Sequence, residues 1–91
     1  MVNPIRGLFE ITKITDKNGV DRTDGRYPLR LKRRCRLYIL GCDAPLLAEY
    51  APRDDENYGG TLRTSLVEQL EAFQGVWKIT TLNSVYYFKE L

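Results

Sequence analysis

An alternation of apolar and cationic residues constrains the fold of this chain more than any other feature of its sequence. The segment from Leu29 to Ile39 reads LRLKRRCRLYI. The odd-numbered residues are apolar, except for Arg33, and would point to one side: Leu29, Leu31, Cys35, Leu37 and Ile39. The even-numbered residues are four cations and a tyrosine, and they would point to the other side: Arg30, Lys32, Arg34, Arg36 and Tyr38. A period of two is typical of a strand with one face on the core and one in water, so a strand is predicted over 29–39.

Turn-forming residues recur at short spacing along the chain. They lie at residues 16–19, 24–25, 41–45, 52–60, 74–75 and 83–84. The runs between them are rich in β-branched and aromatic residues, as in small all-β proteins. The sequence therefore predicts a single all-β domain over residues 1–91, with five to six short antiparallel strands. A twisted sheet of this size tends to curl into a barrel, because closure hides its edges, and both SH3-like and OB-like topologies fit.

The segment 66–73 is compatible with either a strand or one short helix. Ser65 and Glu68 have the spacing of a capping box, and Gly75 could end a helix. The strand interpretation is favoured because the segment 76–81 needs a hairpin partner. The two strands that follow supply the core candidates of this half of the chain: Trp77, Ile79, Val85, Tyr87 and Phe88.

Composition argues against an enzyme. Histidine is absent, which removes the commonest general base and metal ligand, and two cysteines alone cannot build a tetrahedral zinc site. No glycine-rich phosphate loop is present. Cys35 is expected in the core rather than as a reactive thiol, and the acidic residues of RDDENY, 53–58, are expected in a solvated loop rather than at a cation site. We therefore predict no catalytic residues, no metal and no cofactor.

No apolar run approaches the length of a membrane helix, and the N-terminus, MVNPIRGLFEITKI, has no signal-peptide h-region. We therefore expect a cytoplasmic protein that does not bind membranes. Its oligomeric state is left open by the sequence.

The C-terminal third, TLRTSLVEQLE followed by GVWKITTLNSVYYF, resembles a pattern in small uncharacterised β-barrel-like proteins of bacteria, their phages and other mobile elements. In those proteins an LRTS-V strand precedes a strand that ends T-NS-Y. RYPLRLKRRCRLY resembles their basic middle strand. The resemblance implies the fold and a bacterial or phage setting, and it carries no assigned activity. The Thr64, Ser65, Asn83 and Ser84 side chains are expected to satisfy backbone groups at bends and turns rather than to bind a ligand.

Charge is distributed unevenly along the chain. Residues 22–36 carry seven cationic residues against one acidic residue, a net charge of +6, while residues 37–91 have a net charge of −4. On the predicted strand, four cations would emerge from one face over roughly 20 Å. Arginine suits bidentate phosphate contact, and a neighbouring tyrosine can stack on bases. The candidate nucleic-acid-binding residues are therefore Arg30, Lys32, Arg34, Arg36, Tyr38 and Arg26.

Three alternatives compete with nucleic-acid binding. Cross-strand acids could neutralise the basic face and leave it a solvated surface, the candidates being Glu10, Glu49, Glu68 and Glu71. A protein partner could instead dock on exposed aromatics such as Tyr58 and Tyr86. A small nucleotide would require a deep basic pocket in addition to charge. The leading hypothesis is a non-enzymatic module that binds an anionic ligand, with nucleic acid first.

Overall fold

A computed structural model describes residues 8–23, 25, 27–39, 43–50 and 60–91. Arg26, Cys42 and the acidic segment 53–58, which includes Tyr58, lie outside the described residues. The elements are β1 Phe9–Thr15, α1 Tyr27–Arg30, β2 Arg34–Ile39, β3 Pro45–Tyr50, β4 Thr61–Phe73, β5 Val76–Thr81 and β6 Val85–Glu90. The prediction of an all-β fold with one short helix is confirmed, although the helix lies at 27–30 and not at 66–73.

The six strands are antiparallel and follow one another around the sheet in chain order. Because β1 pairs with both β2 and β6, the sheet closes on itself. The β1–β2 pairing is short: Phe9 lies opposite Cys35 and Glu10 opposite Arg34. It is continued by a hydrogen bond of 2.7 Å from the Lys32 amide to the Ile11 carbonyl. This consecutive order differs from the Greek-key order of an OB-fold, and it gives no support to the SH3-like or OB-like topologies.

The core fills the space inside the closed sheet with apolar side chains that alternate with exposed ones along each strand. The largest of the completely buried hydrophobic side chains are Phe9, Phe88, Ile11, Leu37, Leu46 and Ile79. Of the predicted core residues, Ile79, Val85 and Phe88 are buried and Trp77 packs against the core. Tyr87 was wrongly placed: Tyr86 and Phe88 alternate inward on β6, so Tyr86 is 3% exposed and Tyr87 faces outward, half-buried.

The predicted strand over 29–39 is wrong in its first half. Tyr27–Arg30 form a single helical turn, and Pro28 favours it because proline has the backbone angle of a first helical turn. Lys32 then adopts a left-handed conformation, with φ of 64°, which reverses the chain before β2 begins at Arg34. Leu29 is 68% exposed instead of pointing inward. Over the described ranges, α1 included, no helix is long and apolar enough to cross a membrane.

The strand interpretation of 66–73 is confirmed, because β4 continues without interruption from Thr61 to Phe73. A register shift between Val67 and Gln69 marks a bulge in the pairing with β5. The extra residue of the bulge shifts the alternation by one position. Val67 is buried, and the next side chain packed on the core is Leu70, three residues later rather than two. A spacing of three between these side chains imitates helical periodicity, and this explains why the sequence pattern was ambiguous.

The turn between β4 and β5 depends on a glycine. Phe73 lies opposite Val76, and the two residues between them, Gln74 and Gly75, have φ of 49° and 79°. Two positive φ values define a type I′ hairpin turn, which suits the twist of the two strands. The register of this hairpin therefore depends on residues that tolerate the left-handed region.

Gly75→Ala is expected to lower the free energy of unfolding by about 1–2 kcal/mol, because an L side chain in the left-handed region is strained. A Cβ at this position would meet only the Glu90 Cβ, at 3.8 Å, so backbone strain rather than crowding is the cause. Urea denaturation would measure the change. Gly75→Asn is the matched control and should cost less, because asparagine tolerates this region. Equal stability of Gly75→Ala and the wild type would contradict the turn assignment.

Candidate anion-binding site

The structure does not place the predicted nucleic-acid-binding residues on one strand. Arg34 and Arg36 are exposed on the outer face of β2, and Tyr38 lies half-buried on the same face. Lys32 is exposed in the turn before β2, and Arg30 belongs to α1. Because β2 begins only at Arg34, the expected row of four cations along about 20 Å of strand is wrong. Arg26 lies outside the described residues.

Acidic residues face the two arginines of β2. Arg34 lies opposite Glu10 of β1, and Arg36 lies opposite Glu49 of β3. Opposite charges in such positions stabilise a sheet by about 0.2–1 kcal/mol per pair. The alternative of a partly neutralised face therefore receives support at these two positions. The other two acids that were considered face elsewhere, since Glu68 forms an ion pair with Lys17 and Glu71 with Lys78.

An open pocket of about 400 Å³ lies beside the basic turn, where β3 ends and β4 begins. We call it the arginine pocket, and its lining residues are Leu29, Arg30, Arg33, Tyr50, Thr61, Leu62 and Arg63. None of these described lining residues is acidic. Sequence reasoning missed the pocket, because Arg33 was only an exception to the alternation and Arg63 lies 30 residues further along the chain.

Aromatic rings hold two of the pocket arginines in place. The Arg33 guanidinium lies 4.4 Å from the centroid of the Tyr50 ring. The Arg30 guanidinium lies 4.9 Å from the centroid of the Tyr27 ring, and its Nη1 donates a hydrogen bond of 2.9 Å to the Tyr86 hydroxyl. Such contacts restrict long side chains, so less conformational freedom remains to be lost when a ligand binds. Tyr86 is therefore a buried support of the pocket and not the exposed docking aromatic that was expected.

The turn that precedes β6 anchors the segment leading into α1. The Ser84 hydroxyl donates a hydrogen bond of 3.3 Å to the Tyr27 hydroxyl, and the Arg22 Nη2 donates to the Asn83 carbonyl. The Arg22 guanidinium lies 5.0 Å from the Tyr27 ring centroid, so both Arg22 and Arg30 pack near this ring. The T-NS-Y pattern thus has a structural role in this chain: it fixes the helical turn that carries Arg30.

Thr64 and Ser65 also act as structural residues, as predicted. The Thr64 Oγ1 accepts a hydrogen bond of 3.1 Å from the Leu46 amide. The Ser65 Oγ accepts one of 3.3 Å from the Asn83 amide. Both side chains therefore satisfy backbone donors close to the β4 bulge, where regular pairing is interrupted.

Tyr50 lines the arginine pocket, and its hydroxyl is a buried polar group. Its oxygen is shielded from solvent, and it has no hydrogen-bond partner among the residues that the structure describes. Burial raises the pKa of Tyr50 above its usual value, while the charges of Arg30 and Arg33 act in the opposite direction. At neutral pH the group is therefore a protonated hydroxyl.

Cys35 lies in the core, as predicted. Its side chain is completely buried, and burial raises the pKa of its thiol to about 12, although the charge of Arg33 acts to lower it. The thiolate is the nucleophilic form of cysteine, so the raised pKa argues against the alternative of a reactive thiol.

Within the described ranges, no group of three His, Cys, Asp or Glu side chains could hold a metal ion.

In comparisons with known proteins, no family model, no curated protein and no solved structure matches this chain. The functional interpretation therefore rests on the chemistry of the arginine pocket and of the basic residues beside it.

Proposed function

We propose that this protein is a non-enzymatic binding module for an anionic ligand, and that the ligand is a nucleic-acid strand. One observation carries the proposal. The arginine pocket, with Arg30, Arg33 and Arg63, adjoins a turn and a strand that expose further cations, Lys32, Arg34 and Arg36. Arginine and lysine in this density favour phosphate contacts, which supply most of the affinity of sequence-independent nucleic-acid binding.

The outer face of the sheet connects the pocket to β2. Tyr38 on β2 lies opposite Leu47 on β3, which lies opposite Arg63 on β4. Residues paired in this way point to the same side of the sheet, so Tyr38 and Arg63 share a face across two strand spacings, roughly 10 Å. A strand that crosses this face would meet a half-exposed aromatic ring between two groups of cations, which is a common arrangement in single-strand binding proteins.

The same geometry predicts little base specificity. Arginine forks and a tyrosine ring recognise phosphates and the faces of bases, and neither reads a base edge. Binding is therefore expected to depend steeply on salt. Four phosphate contacts imply a slope of log affinity against log salt of about −3 to −4.

The test is a fluorescence anisotropy titration with single- and double-stranded oligonucleotides at two salt concentrations. We expect micromolar affinity at low salt, and a loss of binding in the Arg34→Glu/Arg36→Glu variant. Lys78→Glu/Lys89→Glu is the matched control. It changes the net charge by the same amount as the first variant, but at one position on β5 and one on β6, and it should weaken binding much less. Absence of binding at low salt, or equal effects of the two variants, would reject the proposal.

A protein partner is the second candidate, favoured by an apolar surface at the β4–β5 turn. Phe73 is 74% exposed there and Val76 is 40% exposed. These residues lie on a hairpin end that contributes nothing to the arginine pocket. If the oligonucleotides fail to bind, a pull-down comparing the wild type with Phe73→Ser/Val76→Ser would test this surface, and only partners lost by the variant would support it.

A further inference from the structure

The β4–β5 hairpin carries an apolar surface near its turn, around an open depression of about 340 Å³. We call this surface the hairpin face, and its residues are Glu71, Phe73, Gln74, Val76, Lys78 and Tyr87. We propose that the hairpin face binds a second copy of this chain, and that the two copies pack face to face around a two-fold axis. The inference does not depend on nucleic-acid binding, because the hairpin face shares no residue with the arginine pocket or with the cations of β2.

The register of the hairpin determines which side chains reach this face. Leu70 packs on the core and lies opposite the buried Ile79, so the neighbouring rows of cross-strand pairs point outward. The outward pairs are Phe73 with Val76 and Glu71 with Lys78. One outward row is therefore apolar, and the next row holds two opposite charges.

The apolar row is exposed far more than a hydrophobic pair at the end of a hairpin requires. Phe73 is 74% exposed and Val76 is 40% exposed, and Tyr87 lines the same depression. A contiguous apolar patch with a polar rim is typical of a protein interaction site. An aromatic side chain can bury about 150–250 Å², so Phe73 is the largest single source of binding energy on this face.

The charges of this region are balanced, and this favours a second copy as the partner. The Glu71 Oε2 lies 3.9 Å from the Lys78 Nζ, and Lys89 on the neighbouring strand lies opposite Glu10. A surface with equal numbers of both charges does not repel its own copy. Residues 22–36, with a net charge of +6, would repel theirs.

The arrangement of the outward pairs is self-complementary. A two-fold axis that runs parallel to the strands, in front of the sheet and midway between β4 and β5, places β4 of each copy over β5 of the other. Phe73 then packs on the partner's Val76, and Glu71 meets the partner's Lys78. Each contact is made twice, because a two-fold interface uses the same surface of both copies. Sheets that pack face to face lie about 10 Å apart, a distance that their side chains fill.

The first experiment measures self-association by sedimentation equilibrium of protein freed from nucleic acid. Stable interfaces bury upwards of about 1,200 Å², more than one hairpin face offers, so we expect a weak dimer with a Kd of about 10–100 μM. Phe73→Ser/Val76→Ser should raise this Kd at least about tenfold. Val20→Ser/Leu82→Ser is the matched control, since it removes two exposed apolar side chains outside the hairpin face, and it should leave the Kd unchanged.

Charge reversal tests the two-fold arrangement itself. In a homodimer of Glu71→Lys, positive charges face each other in both charged contacts, and in a homodimer of Lys78→Glu, negative charges do. Each variant alone should therefore remain monomeric where the wild type is dimeric. In an equal mixture, one copy of each variant can pair so that both charged contacts between the copies again join opposite charges. We expect the mixture to recover the association as a heterodimer.

The possible outcomes distinguish this inference from the proposed function. A wild type that stays monomeric up to about 500 μM, or an unchanged Kd in Phe73→Ser/Val76→Ser, would overturn the dimer. Failure of the mixture to recover association would overturn the two-fold arrangement. The substituted side chains are exposed or half-buried, so every variant should keep a melting temperature close to that of the wild type. Absence of dimerisation would leave nucleic-acid binding standing, and absence of oligonucleotide binding would leave the dimer standing.

Discussion

Phe88→Ala is expected to lower the free energy of unfolding by about 3–5 kcal/mol, the range for deleting a buried aromatic side chain. Phe88 is completely buried on β6, and its ring stacks on that of Tyr86 at a centroid distance of 6.2 Å. It lies opposite Ile11 on β1 and Trp77 on β5, so the deletion opens a cavity between three strands. A 91-residue domain has little stability to spare, and the variant should be largely unfolded at 37 °C.

Phe73→Ala is the matched control for this prediction. The same side chain is 74% exposed at the end of β4, and its removal should change stability by no more than about 0.5 kcal/mol. Urea denaturation followed by tryptophan fluorescence would measure both variants. A loss of similar size in the two variants would show that the core assigned here is wrong.

Alkaline pH should destabilise the protein through Cys35. Burial raises the pKa of this thiol from 9.0 to about 12 in the folded state. Above pH 9 the unfolded chain loses the thiol proton while the folded chain keeps it, so the free energy of unfolding falls as pH rises. From this group alone, we expect a loss of about 1.4 kcal/mol between pH 7 and pH 10. The stabilisation that this thiol contributes is fully present below pH 9, and it is lost as the pH rises from 9 to about 12.

Cys35→Ala isolates this effect. The free energy of unfolding of the variant at pH 7 will differ from that of the wild type. Its decrease between pH 7 and pH 10 should nevertheless be smaller than the decrease in the wild type, by about 1.4 kcal/mol. Burial also raises the pKa values of Tyr50 and Tyr86 from 10.0, and both proteins share that contribution. Parallel curves for the two proteins over this pH range would show that the buried thiol is not responsible.

Most strands could be predicted from the sequence because their signals are local. The alternation from Arg34 onward, the turn-forming pair Gln74–Gly75 and the β-rich runs near the C-terminus all depend on neighbouring residues. Such patterns determine which face of a strand can be buried. The assignment of Tyr87 to the core failed because Tyr86 and Tyr87 are adjacent, and either ring could face the core in an alternating strand. Only the register with β5, where Tyr86 lies opposite the buried Ile79, decides that Tyr86 points inward.

The start of β2 could not be predicted from the alternation. The pattern from Leu29 to Lys32 fits a strand, but Pro28 and the left-handed Lys32 direct the chain through a helical turn. That turn is held by groups distant in sequence, since Arg30 bonds to Tyr86 and Tyr27 to Ser84. Contacts between residues more than fifty positions apart do not affect the local alternation of apolar and polar residues, so the alternation could not reveal them.

By itself, the sequence determined the all-β class, the burial of Cys35 and the concentration of positive charge in residues 22–36, because composition and short-range periodicity depend only on residues close together in the chain. The tertiary structure decided which of those charges share a site. Pairing of β3 with β2 and β4 brings Arg63 to the pocket that Arg30 and Arg33 line, and the β1–β2 and β2–β3 pairings set Arg34 and Arg36 opposite acids. Strand pairing in three dimensions, rather than spacing along the chain, separates the arginine pocket from the partly neutralised face.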